Sequence, residues 1–324
     1  MAAAGDDGIT HRVVEVNGVR LHVAEAGPAG GPVALLLHGF PELWYTWRHQ
    51  MPALAAAGYR AVAPDLRGYG GSDAPAPAAG AQQYTALHVV GDLVALVDSL
   101  GHDRVFVVAH DWGAILAWYL CQFRPDKVIS LAALSVPYVR RDPALAPVDA
   151  LRSLYGDEYY ICRFQEPGAM EAEFARLGTE LVLRKFLSLR TADPLFIPYS
   201  GWGSPDDEVP LPSWISDEDI KYYTSEFEKT GFTGGLNYYR AWDKTWELTA
   251  PWSGAKINVP AKFIIGDLDL TYRIPTTQEF ICKGDEFVPL LEDVVIMKDV
   301  GHFINEEKPN EINELIINFI KKFE

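Results

Sequence analysis

Residues 107–117 read VVAHDWGAILA, and the fold is decided there. The leading apolar run has the character of a buried strand, His110-Asp111-Trp112-Gly113 that of a tight turn, and residues 114–120, apolar all round, that of a helix enclosed in a core. The small residues Ala109, Gly113 and Ala114 flank Asp111, as a strained strand-to-helix elbow requires if the backbone is to turn closely. Such an elbow lifts one side chain into a cleft. In many enzymes that side chain is a serine. Here it is an aspartate, with an unperturbed pKa of about 3.9 and therefore ionised at neutral pH. For Asp111 taken alone, a helix-capping role is the alternative reading.

Its companions argue for more than a cap. Upstream, LLLHGFPELW puts His38-Gly39-Phe40-Pro41 directly after an apolar strand, where the Phe40 N–H can turn inward as half of an oxyanion hole. The N–H of Trp112 supplies the other half. Downstream, AKFIIGDLDLTY ends a strand with Asp267 and Asp269, and VVIMKDVGHFINEEKP ends another with Gly301-His302-Phe303. Nucleophile, then acid, then histidine is the chain order of an α/β-hydrolase triad. Of the eight histidines, only His302 lies after the last strand and before the last helix.

The rest of the chain follows the same plan. HRVVEVNGVRLHVAEAG alternates apolar and polar residues around Asn17-Gly18, a type I′ hairpin signal. Short apolar runs at 33–37, 61–62, 105–109, 128–134, 263–265 and 294–296 then alternate with helical patterns such as 87–100, which predicts a mostly parallel sheet flanked by helices. The last helix starts near Pro309, with Glu311 and Glu314 early and Lys321 and Lys322 late, in accord with its dipole. Between these strands the strand signal fades in a segment rich in aromatics, Pro and acids. We expect a hydrolase core over residues 1–137 and 251–324 and a helical lid over 138–250. The short Ala/Pro loop APAPAAGA is the one low-complexity tract.

At 324 residues with 48% hydrophobic content, the chain has ample core. A net charge of −16, from 44 acidic against 28 basic residues, argues against nucleic acid and anionic membrane surfaces as partners, and solubility is the simpler reading of it. Cys121, Cys162 and Cys282 are odd in number and widely spaced, which predicts reduced core thiols in a cytosolic protein. The start MAAAGDDGIT lacks the basic region of a signal peptide, the terminal KKFE is neither a peroxisomal nor a prenylation signal, and no uncharged apolar run approaches about 18 residues. We expect a cytoplasmic protein without membrane insertion. With no His or Cys pair at ligand spacing and no glycine-rich phosphate loop, no metal or cofactor is expected.

The chain resembles the soluble epoxide hydrolases of plant type over nearly its whole length. The markers are HGFPELWYTWRHQM, APDLRGYGGSD, AHDWGA, YYICRFQEPG, GFTGGLNYYR, the GDLDL loop and GHF. The resemblance implies that Asp111 is the nucleophile, His302 the base and Asp269 its orienting acid. It further implies that Tyr160 and Tyr239 are the acids that hold the epoxide oxygen. Asp267 stands where the family often has Glu. Glu42, His38 and His110 are candidates for a network handling substrate and water near the base. A buried carboxylate paired with His110 is the alternative for Glu42, and His110 reads as an elbow support. Arg67, Gly68, Gly70, Ser72 and Asp73 belong to a structural loop beside the cleft.

These pieces suit one chemistry. A serine needs a base to become nucleophilic, whereas a carboxylate attacks sp³ carbon unaided and leaves an ester on the enzyme. The histidine is then free to activate water against that ester. The expected partners are thus a small-molecule epoxide and water. The runner-up leaving group is a halide, but haloalkane dehalogenases often carry a second N–H donor, Asn, where this chain has Phe40. A non-catalytic small-molecule receptor on the same fold is the third reading, and it has no need of paired lid tyrosines.

Overall fold

The computed structural model describes residues 8–75 and 80–324. Part of the N-terminal MAAAGDDGIT and the centre of the Ala/Pro loop lie outside the described residues. Eight strands form one sheet: β1 (Thr10–Val16), β2 (Val19–Ala26), β3 (Val33–Leu37), β4 (Arg60–Pro64), β5 (Val105–His110), β6 (Val128–Leu134), β7 (Ala261–Gly266) and β8 (Leu291–Met297). Their order is β1-β2-β4-β3-β5-β6-β7-β8. β2 runs antiparallel to both its neighbours, and every other adjacent pair is parallel. Asn17 and Gly18, at φ 48° and 78°, turn the opening hairpin.

Buried on both faces, the central strands read as continuous apolar runs while their side chains still alternate. Leu35, Leu37, Val107 and Ala109 pack on one face with α2 (Ala86–Ser99) and α3 (Trp112–Phe123). Ala34, Leu36, Phe106 and Val108 pack on the other, with α1 (Gln50–Ala56) and the C-terminal helix. In α2, Val89, Val90, Leu93, Leu96 and Val97 are buried, the spacing of one helical stripe.

Between β6 and β7 the chain leaves the sheet for seven helices: α4 (Pro147–Tyr155), α5 (Tyr160–Arg163), α6 (Ala169–Leu177), α7 (Thr179–Leu187), α8 (Asp217–Thr230), α9 (Thr233–Arg240) and α10 (Trp242–Leu248). Their aromatic residues do not form a separate core. Phe164, Phe174, Phe186, Phe232 and Tyr239 join the same apolar cluster as α2 and α3. Phe40, from the loop after β3, meets Phe164, Phe186 and Tyr239 edge-on at 5.5–5.8 Å between ring centroids. The insertion is therefore packed onto the helices and loops above the sheet rather than tethered beside them.

After β7 come α11 (Pro275–Phe287), α12 (Ile304–Glu307) and α13 (Pro309–Ile320). Two expectations need correction. Cys121 and Cys162 are buried, but Cys282 on α11 is exposed and so is no core thiol. Lys321 and Lys322 lie beyond α13, in a short 3₁₀ turn, so they follow its last turn instead of completing it. Among the described residues no helix is long and apolar enough to cross a membrane.

Candidate active site

Asp111 stands at the apex between β5 and α3 with φ 50° and ψ −121°. A non-glycine residue held in so sparse a region stores on the order of 1–3 kcal/mol, and tight surroundings must hold it there. A Cβ on Gly113 would overlap the Leu37 carbonyl, and one on Gly39 would overlap the Asp111 carboxylate itself. Both glycines are therefore required by close approach. The Phe40 N–H donates to Asp111 Oδ1 at 2.7 Å. The N–H of Trp112, in the first turn of α3, is one of those a helix leaves without an intrahelical partner.

The loops after β7 and β8 bring the other two triad candidates alongside. His302 Nδ1 lies 2.9 and 3.0 Å from the two oxygens of Asp269, and its Nε2 is 3.4 Å from Asp111 Oδ2. Asp269 also accepts the Thr271 N–H at 2.7 Å. The His302 carbonyl accepts from Ser135 Oγ and His110 Nε2, both at 2.8 Å, which fixes the ring's height over the sheet. Asp267 points elsewhere, its Oδ1 accepting the Asp299 N–H at 2.8 Å.

Electrostatics follow from this packing. Burial would raise the Asp111 and Asp269 pKa values, but His302 outweighs it and holds both below the ordinary carboxylate range. Burial would likewise depress His302, yet Asp269 and Asp111 together hold it well above the ordinary imidazole value. Both flanking carboxylates thus favour the protonated form of the ring.

A second buried pair supports the elbow from behind. His110 Nδ1 lies 2.9 Å from Glu42 Oε2. A carbonyl only accepts, so the nitrogen facing the His302 carbonyl carries a proton. Burial opposes both charges, yet the pair prevails: Glu42 is held below its usual range and His110 above. Glu42 further accepts the Gly39 N–H at 2.6 Å and the Thr46 hydroxyl at 2.8 Å, tying the HGFP turn to the elbow. His38 is a correction. Expected in a substrate and water network, it instead gives both ring nitrogens to the backbone. Nδ1 donates to the Gly39 carbonyl at 2.9 Å and Nε2 accepts the Leu66 N–H at 3.0 Å. The nearby loop is structural: Arg67 pairs with Asp92 at 2.5 Å, both buried.

Over Asp111 lies a cavity of about 320 Å³ whose walls include Tyr160, from the start of α5, and Tyr239, from α9. Their ring centroids are 6.1 Å apart. Burial, reinforced by neighbouring phenols and the Asp111 carboxylate, pushes both phenols well above the usual tyrosine pKa, so both carry their protons at neutral pH. Tyr238 turns the other way, its hydroxyl donating to the Arg67 carbonyl at 2.9 Å. Among the described residues, no group of three or more His, Cys, Asp or Glu is arranged to hold a metal ion.

Residues that the sequence analysis passed over complete the setting. Thr271, two residues after Asp269, gives its N–H to that carboxylate; an Asp followed at that distance by a donating amide is an Asx turn, a readable signal. Arg190, between α7 and α8, carries no such mark. Its guanidinium is 3.1 Å from Glu307 Oε1 and donates to the Asp299 carbonyl, while Glu307 Oε2 accepts the Gly301 N–H at 2.8 Å. The insertion thereby grips the His302 loop from both sides.

An elbow carboxylate, a histidine–carboxylate pair on later strand ends and a helical cover define an α/β-hydrolase. A family model described as the alpha/beta hydrolase fold matches residues 32–309. Epoxide hydrolase 2 of Siraitia grosvenorii is 54% identical over 318 residues, spanning 97% of this chain and 99% of that one. Epoxide hydrolase A of Mycobacterium tuberculosis is 41% identical, with 97% and 98% covered. Among solved structures, an epoxide hydrolase from Vigna radiata superposes with a TM-score of 0.94 at 52% identity, over 99% of this chain and 100% of that one. Potato (Solanum tuberosum) epoxide hydrolase I gives 0.92 at 51%, over 97% and 100%. The chain belongs to the soluble, plant-type epoxide hydrolase family.

Proposed function

We propose that this chain converts lipophilic epoxides, of fatty-acid or aryl type, to vicinal diols in the cytoplasm, with residues 138–250 as the lid over the reacting groups. Asp111 attacks a ring carbon, the carbon–oxygen bond breaks, and the departing oxygen takes a proton from Tyr160 or Tyr239. The result is an ester on Asp111. His302, whose own proton restores the phenolate, then takes a proton from water, and the hydroxide adds to the ester carbonyl. The Phe40 and Trp112 N–H groups meet the oxyanion, each worth ~3 kcal/mol. Collapse expels the second diol oxygen, which takes that proton from His302, and the carboxylic acid left on Asp111 ionises, returning its proton to His302. Glu42 and His110 hold the loop on which these steps depend.

The observation that carries this reading is the convergence of two protonated phenols and one ionised carboxylate on a single cavity. A halide would need no proton, and Phe40 offers it no side-chain N–H. Three free cysteines fit a reducing compartment. The test is one turnover with enzyme in excess in heavy-oxygen water. The first diol should carry ordinary oxygen from Asp111, with label appearing in Asp111 and reaching diol only in later turnovers. A fully labelled first diol would mean direct attack by water and would end the nucleophile assignment.

Ester formation also has an electrostatic result. It removes the Asp111 charge, one of the two that hold His302 protonated. The His302 pKa should therefore be lower in the ester than in the free enzyme, freeing the base when it is needed. Single-turnover ester hydrolysis should lose its rate on acidification at a lower pH than that at which the free enzyme's His302 titrates by NMR. Coincident values would contradict this coupling.

A further inference from the structure

The cavity over Asp111 has a dry end and a wet one. Asp111, Tyr160 and Tyr239 are buried, whereas Val139, Leu145 and Leu154, which line the same cavity, are 43%, 39% and 52% exposed. Two consecutive arginines stand at the exposed end, and they are held differently. Arg140 is neutralised by Glu279 at 2.9 Å. Arg141 has no carboxylate partner among the described residues. Its Nε donates to the Trp246 carbonyl and its Nη1 to Ser253 Oγ, both at 2.8 Å, and its guanidinium carbon sits 4.4 Å from the centre of the Trp246 ring. Those contacts lock the side chain in place while leaving its charge uncompensated and its Nη2 donors unspent. Asp142 beside it is turned to the Ala144 N–H at 2.8 Å.

In a chain of net charge −16, a rigid cation without a counter-charge at the mouth of an apolar cavity is an unusual thing to maintain. A planar guanidinium with free donors matches a carboxylate. We propose that Arg141 anchors a carboxylate carried by the substrate far from its oxirane, so that the acid group rests at the mouth, the hydrocarbon fills the apolar passage, and the ring is set at Asp111. This rests on the epoxide-hydrolase reading above. A tether at the mouth fixes how deep the chain enters, and so acts on the positioning of the reacting carbon as well as on affinity.

The test compares a mid-chain epoxy fatty acid, its methyl ester and a neutral aryl epoxide. Wild-type kcat/KM for the acid should exceed that for the ester roughly tenfold, mostly through KM, and the ratio should shrink as salt is raised. Arg141→Gln should bring the acid-to-ester ratio to about one, Arg141→Lys should keep part of it, and Arg140→Gln should keep most of it. Equal wild-type rates for acid and ester would overturn the proposal, as would an acid-to-ester ratio that Arg141→Gln leaves unchanged. The wild-type comparison and its salt dependence need no variant, so misfolding of Arg141→Gln leaves the question answerable. Turnover of the aryl epoxide without preference for the acid removes this proposal alone. No turnover of any of the three removes the epoxide reading with it.

Discussion

His302→Gln mixed with epoxide should complete one half-reaction and stop. Steady-state turnover falls roughly 10⁴-fold, while mass spectrometry finds one substrate adduct on the peptide holding Asp111. The expectation follows from the charges. Asp111 is already ionised, so it needs no base to attack. The ester proposed to form there, however, can be broken only by water, and His302, whose Nε2 faces that carboxylate at 3.4 Å, is the group proposed as its base. Gln keeps much of the ring's volume and can still meet Asp269, but it cannot take a proton. Finding Asp111 unmodified with substrate bound would show that the base acts earlier. Asp269→Asn should trap the same adduct more weakly. Asp267→Asn should not trap it, because Asp267 is bonded to the Asp299 N–H instead.

The converse experiment removes the acids. The double variant Tyr160→Phe, Tyr239→Phe should lose roughly 10²-fold or more of its diol formation, and without any accumulation of adduct, since ring opening itself is what fails. Both phenols line the cavity with Asp111, and burial keeps both protonated, so either single variant retains a donor and should lose less. The two experiments bracket the ester from opposite sides: one fills it and the other empties it. Wild-type turnover by the double Phe variant would sink the assignment of the phenols.

What could be read beforehand was what is local. The elbow at Asp111, the HGFP turn and the GHF loop each follow an apolar strand, and strand periodicity with small flanking residues is written within a dozen positions. Choices between neighbours were not written there. Tyr238 and Tyr239 are one residue apart on α9, and which of them faces the cavity depends on a carbonyl at Arg67, distant in the chain. Asp267 and Asp269 likewise part company only when β8 docks and offers the Asp299 N–H to one and His302 to the other. His38 misled because its second partner, the Leu66 N–H, comes from another loop. Cys282 misled because an apolar neighbourhood does not fix a helical phase: the buried stripe of α11 is Thr277, Phe280, Gly284 and Phe287, and Cys282 lies off it. The Arg190 grip left no trace at all, being an ordinary arginine until the fold supplies Glu307.

That grip has a dynamic consequence. Because Arg190 holds both Glu307 and the Asp299 carbonyl, and Glu307 in turn holds the Gly301 amide, the cover cannot lift there without loosening the loop that carries His302. The two segments form one cooperative opening unit. In native-state hydrogen exchange, amides of Leu189 and Arg190 should share an opening free energy with those of Val300 to His302, and Glu307→Gln should lower both together. A substrate that waited for that opening would meet a disarmed base, so traffic belongs at the mouth lined by Val139, Leu145 and Leu154, where the molecule can admit and release ligands with its machinery undisturbed.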